Sequence, residues 1–187
     1  MIDTLYQNLE RISAPSFWNE YQLETGNYII LTLHRPSNVD EENSLIDLLK
    51  GIDKMVGDKK VIFPIHPRTK AILGEQNLSL KNIITVEPQG YLNFMYLIKN
   101  SFAVITDSGG ISEETTVLNI PCFTLRTTTE RPETITIGTN NLIGISINNL
   151  EKIFGEFLKN GPKKSGIPEL WDGKASERII DILLSKI

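Results

Sequence analysis

The sequence predicts an α/β domain on a doubly wound, mainly parallel, Rossmann-like sheet of about six strands, and three observations carry that expectation. Short runs of apolar residues recur without polar alternation, and strands of that kind need cover on both faces. Between them lie segments whose apolar residues repeat at helical spacing. Polar signatures follow four of the runs, namely "HRPSN", "HPR", "DSGG" and "RTTTERPE". In a doubly wound sheet these positions are the C-terminal strand ends, where ligands sit near the topological switch point.

The elements follow in order. "MIDTLYQNLERI" places Ile2, Leu5, Tyr6, Leu9 and Ile12 on one helical face, and "YIILTL" (Tyr28 to Leu33) is too apolar for a surface strand. Leu45, Leu48, Leu49, Ile52 and Val56 repeat the helical spacing, and "VIFPI" (Val61 to Ile65) returns to strand. After a short helix in "PRTKAIL", the pieces "IITV", "FAVIT", "PCFTL" and "LIGI" read as the remaining strands. "YLNFMYLIKN", "GISEETTVL" and a turn in "RPETI" read as the helices between them, and "NNLEKIFGEFLK" and "SERIIDILLSKI" as the last two. The crossovers are expected to be right-handed.

A chain of 187 residues, 40% hydrophobic and 22% charged, has the size and composition of one globular domain. No repeat, low-complexity tract or linker divides it, so one domain spans residues 1–187. No apolar run reaches membrane-spanning length, and the N-terminus lacks the basic-then-apolar order of a signal peptide, which makes cytoplasm the expected location and a membrane no expected partner. A net charge of −4 excludes broad polyanion binding, so no nucleic-acid partner is expected. A small anion, needing only a few local cations, is compatible with it. Cys122 cannot form an internal disulfide and reads as a small core residue, with a catalytic thiol the weaker reading. The two histidines stand in no metal-ligand spacing, so neither metal nor cofactor is expected.

Ser108, Gly109 and Gly110 open the helix "GISEETTVL", and a helix N-terminus offers unpaired N–H donors that suit phosphate. A plain glycine turn explains the same residues equally well. Glu113 and Glu114 would repel a diphosphate, so a ligand-binding carboxylate here must reach past it to a diol; helix-dipole stabilisation on a solvated face is the other reading. Phe94 lies on an almost wholly apolar helix, where core packing is the reading and stacking on a base the weaker one. His34 and Arg35 end the first strand and His66 and Arg68 the second, as anion contacts or as solvated loop residues. Arg126, Glu130 and Arg131 either close on the same pocket or start a proline-led helical turn.

Taken together, "TLHRPSNVD", "PIHP", "YLNFMYLI", "TDSGGISEE" and "TTTERPE" stand in the order and spacing of UDP-N-acetylglucosamine 2-epimerases, and the chain resembles that family along its whole length. "MIDTLYQNLE" resembles the segment entering the family's second domain and "DGKASERIIDIL" its closing helix, about residues 174–186 here, which crosses back to the first domain. The resemblance implies the second half of a glycosyltransferase-B arrangement, with a missing N-terminal domain as partner and a homodimer for the full-length protein. It implies Phe94 on uracil, Glu114 on the ribose hydroxyls, and Ser108, Gly109 and Gly110 on the diphosphate, with Arg131 in the same pocket. Glu113 is left with the solvated role. His34 matches a histidine needed for activity, and Arg35 and His66 match positions that contact a second, activating UDP-N-acetylglucosamine in some members. The chain departs from the common pattern at "HRPSN" for "HRREN" and at "IPELWDG" for "NPYGDG".

The activity so implied is epimerisation of UDP-N-acetylglucosamine at C2 through elimination of UDP to 2-acetamidoglucal and re-addition, with this half inactive on its own. A hydrolysing epimerase, another two-domain UDP-sugar enzyme and a non-catalytic UDP-binding module are the competing readings.

Overall fold

The computed structural model describes residues 1–35, 42–65, 69, 70, 73 and 80–186. Its elements alternate as α1 (Ile2–Asn8), β1 (Tyr28–Thr32), α2 (Glu42–Met55), β2 (Lys60–Pro64), β3 (Ile83–Val86), α3 (Tyr91–Lys99), β4 (Ala103–Thr106), α4 (Gly109–Val117), β5 (Cys122–Thr124), α5 (Glu133–Thr136), β6 (Asn140–Leu142), α6 (Ile147–Asn160) and α7 (Ala175–Leu184). The strands form one sheet in the order β3-β2-β1-β4-β5-β6. Every neighbouring pair is parallel, so the sheet is wholly rather than mainly parallel. The chain steps outward from β1 to β3, then crosses back to β4 on the other side of β1. The switch point is therefore the crevice between β1 and β4.

Alternation along the strands explains their unbroken apolarity. Ile29, Leu31, Val61, Phe63, Ala103, Ile105 and Phe123 face one side, against Leu45, Leu49 and Ile52 of α2 and Leu150 and Phe154 of α6. Tyr28, Ile30, Ile62 and Val104 face the other, against Leu5 of α1 and Met95, Leu97 and Ile98 of α3. Gly51 lets α2 and α6 approach closely, since a Cβ there would collide with the Ile147 side chain. Phe17 and Leu23, which carry no periodic signal, cover the second face from the segment between α1 and β1.

The first helix stops at Asn8, with Tyr6 exposed, and Leu9 and Ile12 reach the core only partly, from the turns beyond it. The last strand is Asn140–Leu142 rather than "LIGI", because β5 pairs Cys122 with Asn140 and the chain turns at Gly144, whose φ of 82° ends an extended run. Two asparagines are unusual in a strand, yet the fully buried Asn140 side chain accepts from Thr124 Oγ1 at 2.6 Å and donates to Thr134 Oγ1 at 3.2 Å. A buried amide so satisfied costs little, whereas an unpaired one would be expensive. Of the expected short helix in "PRTKAIL", Thr69, Lys70 and Leu73 are described and helical.

The closing helix α7 presents Ile179, Ile180, Ile182, Leu183 and Leu184 to solvent, each more than half exposed, and buries none of its residues. Its start is tied to α1, where the Ser176 N–H and hydroxyl both donate to Asp3 Oδ2 at 2.9 and 3.0 Å. Among the described residues no helix is long and apolar enough to cross a membrane.

Candidate functional site

The ends of β1 and β4 are pinned to each other at the switch point. Thr32 pairs in register with Thr106, and their hydroxyls meet at 2.6 Å. Thr106 Oγ1 also accepts the Ser108 N–H at 2.9 Å, which starts the turn into α4. Between them, Asp107 is fully buried. One carboxylate oxygen, Oδ2, accepts the backbone N–H groups of His34 at 3.0 Å and Arg35 at 2.9 Å. The other, Oδ1, lies 2.6 Å from His34 Nδ1, and Arg35 Nε donates to the Asp107 carbonyl at 3.1 Å. The "HR" of the first strand end is thus built onto the "D" of the fourth.

Ser108 is the N-cap of α4 in extended conformation, but its side chain makes no capping hydrogen bond, so the first-turn N–H donors are left for another acceptor. Close backbone approach is needed on both glycines that follow. A Cβ on Gly109 would stand 2.9 Å from Arg126 Nη1, and one on Gly110 2.8 Å from Met1 Cε. Arg126 is itself buried and forked onto Glu130, with contacts of 3.0 and 2.7 Å. The hydrogen bonds from Arg126 bring the Glu130 carboxyl down to about 2, with Arg35 adding to the effect. Two guanidinium groups therefore lie near the open helix end.

One turn along α4, Glu114 is only 6% exposed. Burial raises its pKa, opposed by a hydrogen bond from the Tyr91 phenol at the start of α3. Burial, followed by the charge of Glu114, likewise pushes the Tyr91 phenol up. Glu113 departs from the solvated role expected of it: its carboxylate is largely covered and accepts from Arg131 Nε at 2.9 Å. Arg131 is held beside α4 by that bond, while Thr134 Oγ1 donates to its carbonyl and joins the loop to the buried Asn140 network.

His34, Phe94 and Ser108 line one cavity of about 280 Å³, together with Thr32, Gln89 and Ile111. Phe94 is half-buried there rather than sealed in the core. A larger hollow of about 630 Å³ opens at the opposite, N-terminal ends of β5 and β6. Lys163, a cation in its lining, is engaged with the carbonyls of Ile135 and Asn140 at 2.6 Å each, and none of the described strand-end signatures reaches it. The smaller cavity is where the chemistry converges. Gly109 and Gly110 stand in the chain between its lining residues Ser108 and Ile111, Glu114 follows on α4 outside the lining, Arg35 is turned onto Asp107, and His66 and Arg68 lie outside the described residues. Sequence reasoning passed over Asp107 and Tyr91. Asp107 is hidden between a strand and a glycine turn, and Tyr91 passes in the sequence for one more apolar residue of α3. Among the described residues no group of histidine, cysteine and carboxylate side chains could hold a metal ion.

A wholly parallel six-stranded sheet with its order reversing between β1 and β4, a glycine turn and an uncapped helix N-terminus at that switch point defines a Rossmann-like α/β class. The sequence profile described as UDP-N-acetylglucosamine 2-epimerase matches residues 1–184, and the chain belongs to that family. The UDP-N-acetylglucosamine 2-epimerase of Methanocaldococcus jannaschii is 41% identical over 98% of this chain and 52% of its own length. Its crystal structure in complex with UDP-GlcNAc and UDP matches with a TM-score of 0.81 at 40% identity, over 98% of this chain and 52% of that one. The Neisseria meningitidis UDP-GlcNAc 2-epimerase bound to UDP-GlcNAc matches at 0.82 and 29% identity, over 98% and 53%. The chain spans about half the length of the curated relatives it matches.

Proposed function

We propose that this chain is the UDP-binding half of a UDP-N-acetylglucosamine 2-epimerase, whose other half supplies the carboxylates that exchange the proton at C2. The observation that carries this reading is the convergence of His34, Phe94, Ser108 and the open α4 N-terminus on one switch-point cavity. Uracil stacks on Phe94, Glu114 accepts the two ribose hydroxyls, and the diphosphate rests on the Ser108 hydroxyl and the N–H groups of Gly109 and Gly110. The M. jannaschii and N. meningitidis structures, solved with UDP-GlcNAc, support the choice of ligand.

The C2 hydrogen is not adjacent to a carbonyl, so its direct abstraction is too slow. In the elimination, the C1–O bond electrons leave with UDP while the C2 proton goes to a base, giving 2-acetamidoglucal. UDP then adds back to C1 as a proton reaches the opposite face of C2, giving UDP-N-acetylmannosamine. Negative charge grows on the β-phosphate at the departure step. Fixed N–H dipoles, His34 and nearby guanidinium groups stabilise it without reorganising. The exposed apolar stripe of α7 is the surface that docks on the missing half, and Arg35, with His66, is the candidate for a second nucleotide-sugar contact.

Calorimetric titration with UDP tests the site. Saturable binding that weakens on Glu114→Ala is the expected result, and unchanged affinity removes the ribose assignment. The chain alone is expected to turn over no UDP-N-acetylglucosamine, and measurable epimerisation or hydrolysis by it would overturn the division of labour.

A further inference from the structure

The contacts around Asp107 point to a specific task for a residue whose side chain has no exposed surface. Its carboxylate divides its work by atom. Oδ2 accepts both backbone N–H groups of the His34–Arg35 segment, and Oδ1 stands 2.6 Å from Nδ1 of the His34 ring. The backbone contacts set where the imidazole stands, and the ring contact sets which nitrogen carries the proton. Two bare acceptor atoms repel at 2.6 Å, so that separation argues for the ring proton at Nδ1, which in the neutral ring leaves Nε2 unprotonated. His34 lines the switch-point cavity with more than half of its side chain exposed, whereas the Asp107 side chain has no exposure at all.

We propose that Asp107 is a positioning residue that holds the His34 imidazole with Nδ1–H toward its own carboxylate, so that Nε2 is the nitrogen that faces the switch-point cavity and, once protonated, donates to the nucleotide-sugar diphosphate. This rests on the reading of the cavity as a UDP-sugar site. On the substrate side, any proton that His34 gives or takes then passes at Nε2, and the ring reaches the departing phosphate in one orientation.

The two oxygens make the test selective. In Asp107→Asn, the amide oxygen can keep both backbone N–H bonds while the NH₂ group meets Nδ1. An NH₂ group can only donate there, which forces the ring to the Nε2–H tautomer with the loop retained. Long-range ¹H–¹⁵N spectra of the chain contain only two imidazoles, and a His66→Gln variant assigns them. In spectra recorded at a pH alkaline enough that imidazoles are neutral, the unsubstituted chain is expected to show His34 protonated at Nδ1; an Nε2–H form there overturns the proposal whether or not any variant folds. Asp107→Asn is expected to exchange the two nitrogen signals, and an unchanged pattern in the folded variant overturns it.

In the two-domain enzyme, Asp107→Asn is expected to lower kcat about 100-fold with little change in KM. Exchanged signals with undiminished kcat would also overturn the proposal. His34→Ala, measured alongside, separates the two readings. Full activity in that variant removes His34 from the proposed reaction, while the nitrogen spectra still decide what Asp107 does to the ring.

Discussion

At the scale of single residues, the site rests on charges placed where burial makes them costly. Glu114 illustrates the sign. Below the ordinary glutamate value of 4.5 it is protonated in the folded and the unfolded chain alike, and as pH rises the unfolded chain ionises first. The stability contributed by the buried, protonated group is therefore lost as pH climbs through its raised folded pKa. Glu114→Gln is expected to raise the melting temperature of the free chain at neutral pH while weakening UDP about tenfold or more, because a charge-assisted bond to the ribose is lost. Lowered melting temperature or undiminished affinity contradicts the assignment. Glu130 behaves oppositely. Its bond to Arg126 contributes stability above 4.5 that is lost as pH falls toward about 2, and a carboxyl NMR titration should find its midpoint near there and find it raised in Arg126→Ala. Gly109→Ala would press a methyl against an Arg126 guanidinium already forked onto Glu130, so UDP affinity should drop about tenfold with the fold intact. Calorimetry and circular dichroism on one sample read both.

At the scale of elements, the chain separates those that hold the domain together from one that does not. Phe123 of β5 packs edge-on to Phe154 at 5.2 Å and Phe157 at 5.4 Å, and Phe123→Ala is expected to cost about 3–5 kcal/mol in urea unfolding. Replacing Ile179, Ile182 and Leu183 of α7 by serine should change stability by only about 0.5 kcal/mol per site, since all three are already in water. A large loss would mean that α7 packs on this domain after all. The same contrast shows what was legible in the sequence. Unbroken apolar runs marked the strands buried on both faces, and helical spacing marked α2 and α6, because burial writes those periods directly. β6 was misplaced by its neighbours: Asn140 and Asn141 hide a strand whose polar side chains are paid for across space by Thr124, Thr134 and the Cys122 carbonyl. Asp107 and Tyr91 were invisible for the same reason, since each is defined by a partner more than twenty residues away in the chain.

At the scale of the molecule, the first and last helices meet, with Asp3 of α1 capping Ser176 at the start of α7. In the proposed two-domain enzyme, chain crossing between the halves runs through that one place. Adding the missing half to the purified chain, or fusing it ahead of Met1, is expected to create epimerase activity that neither piece has separately, and its persistent absence would count against the two-domain reading. The 187 residues also carry a single sulfhydryl, Cys122, wholly buried and pushed up to about 11 by that burial. Thiolate is the form that reacts, so the folded chain should be silent toward maleimides and Ellman's reagent until it is denatured. A cysteine introduced for Gln89 at the cavity rim would then take one fluorophore at one known position, ready to report nucleotide arrival. Left unlabelled, the native sulfhydryl becomes a clock whose slow alkylation times the opening of the whole core.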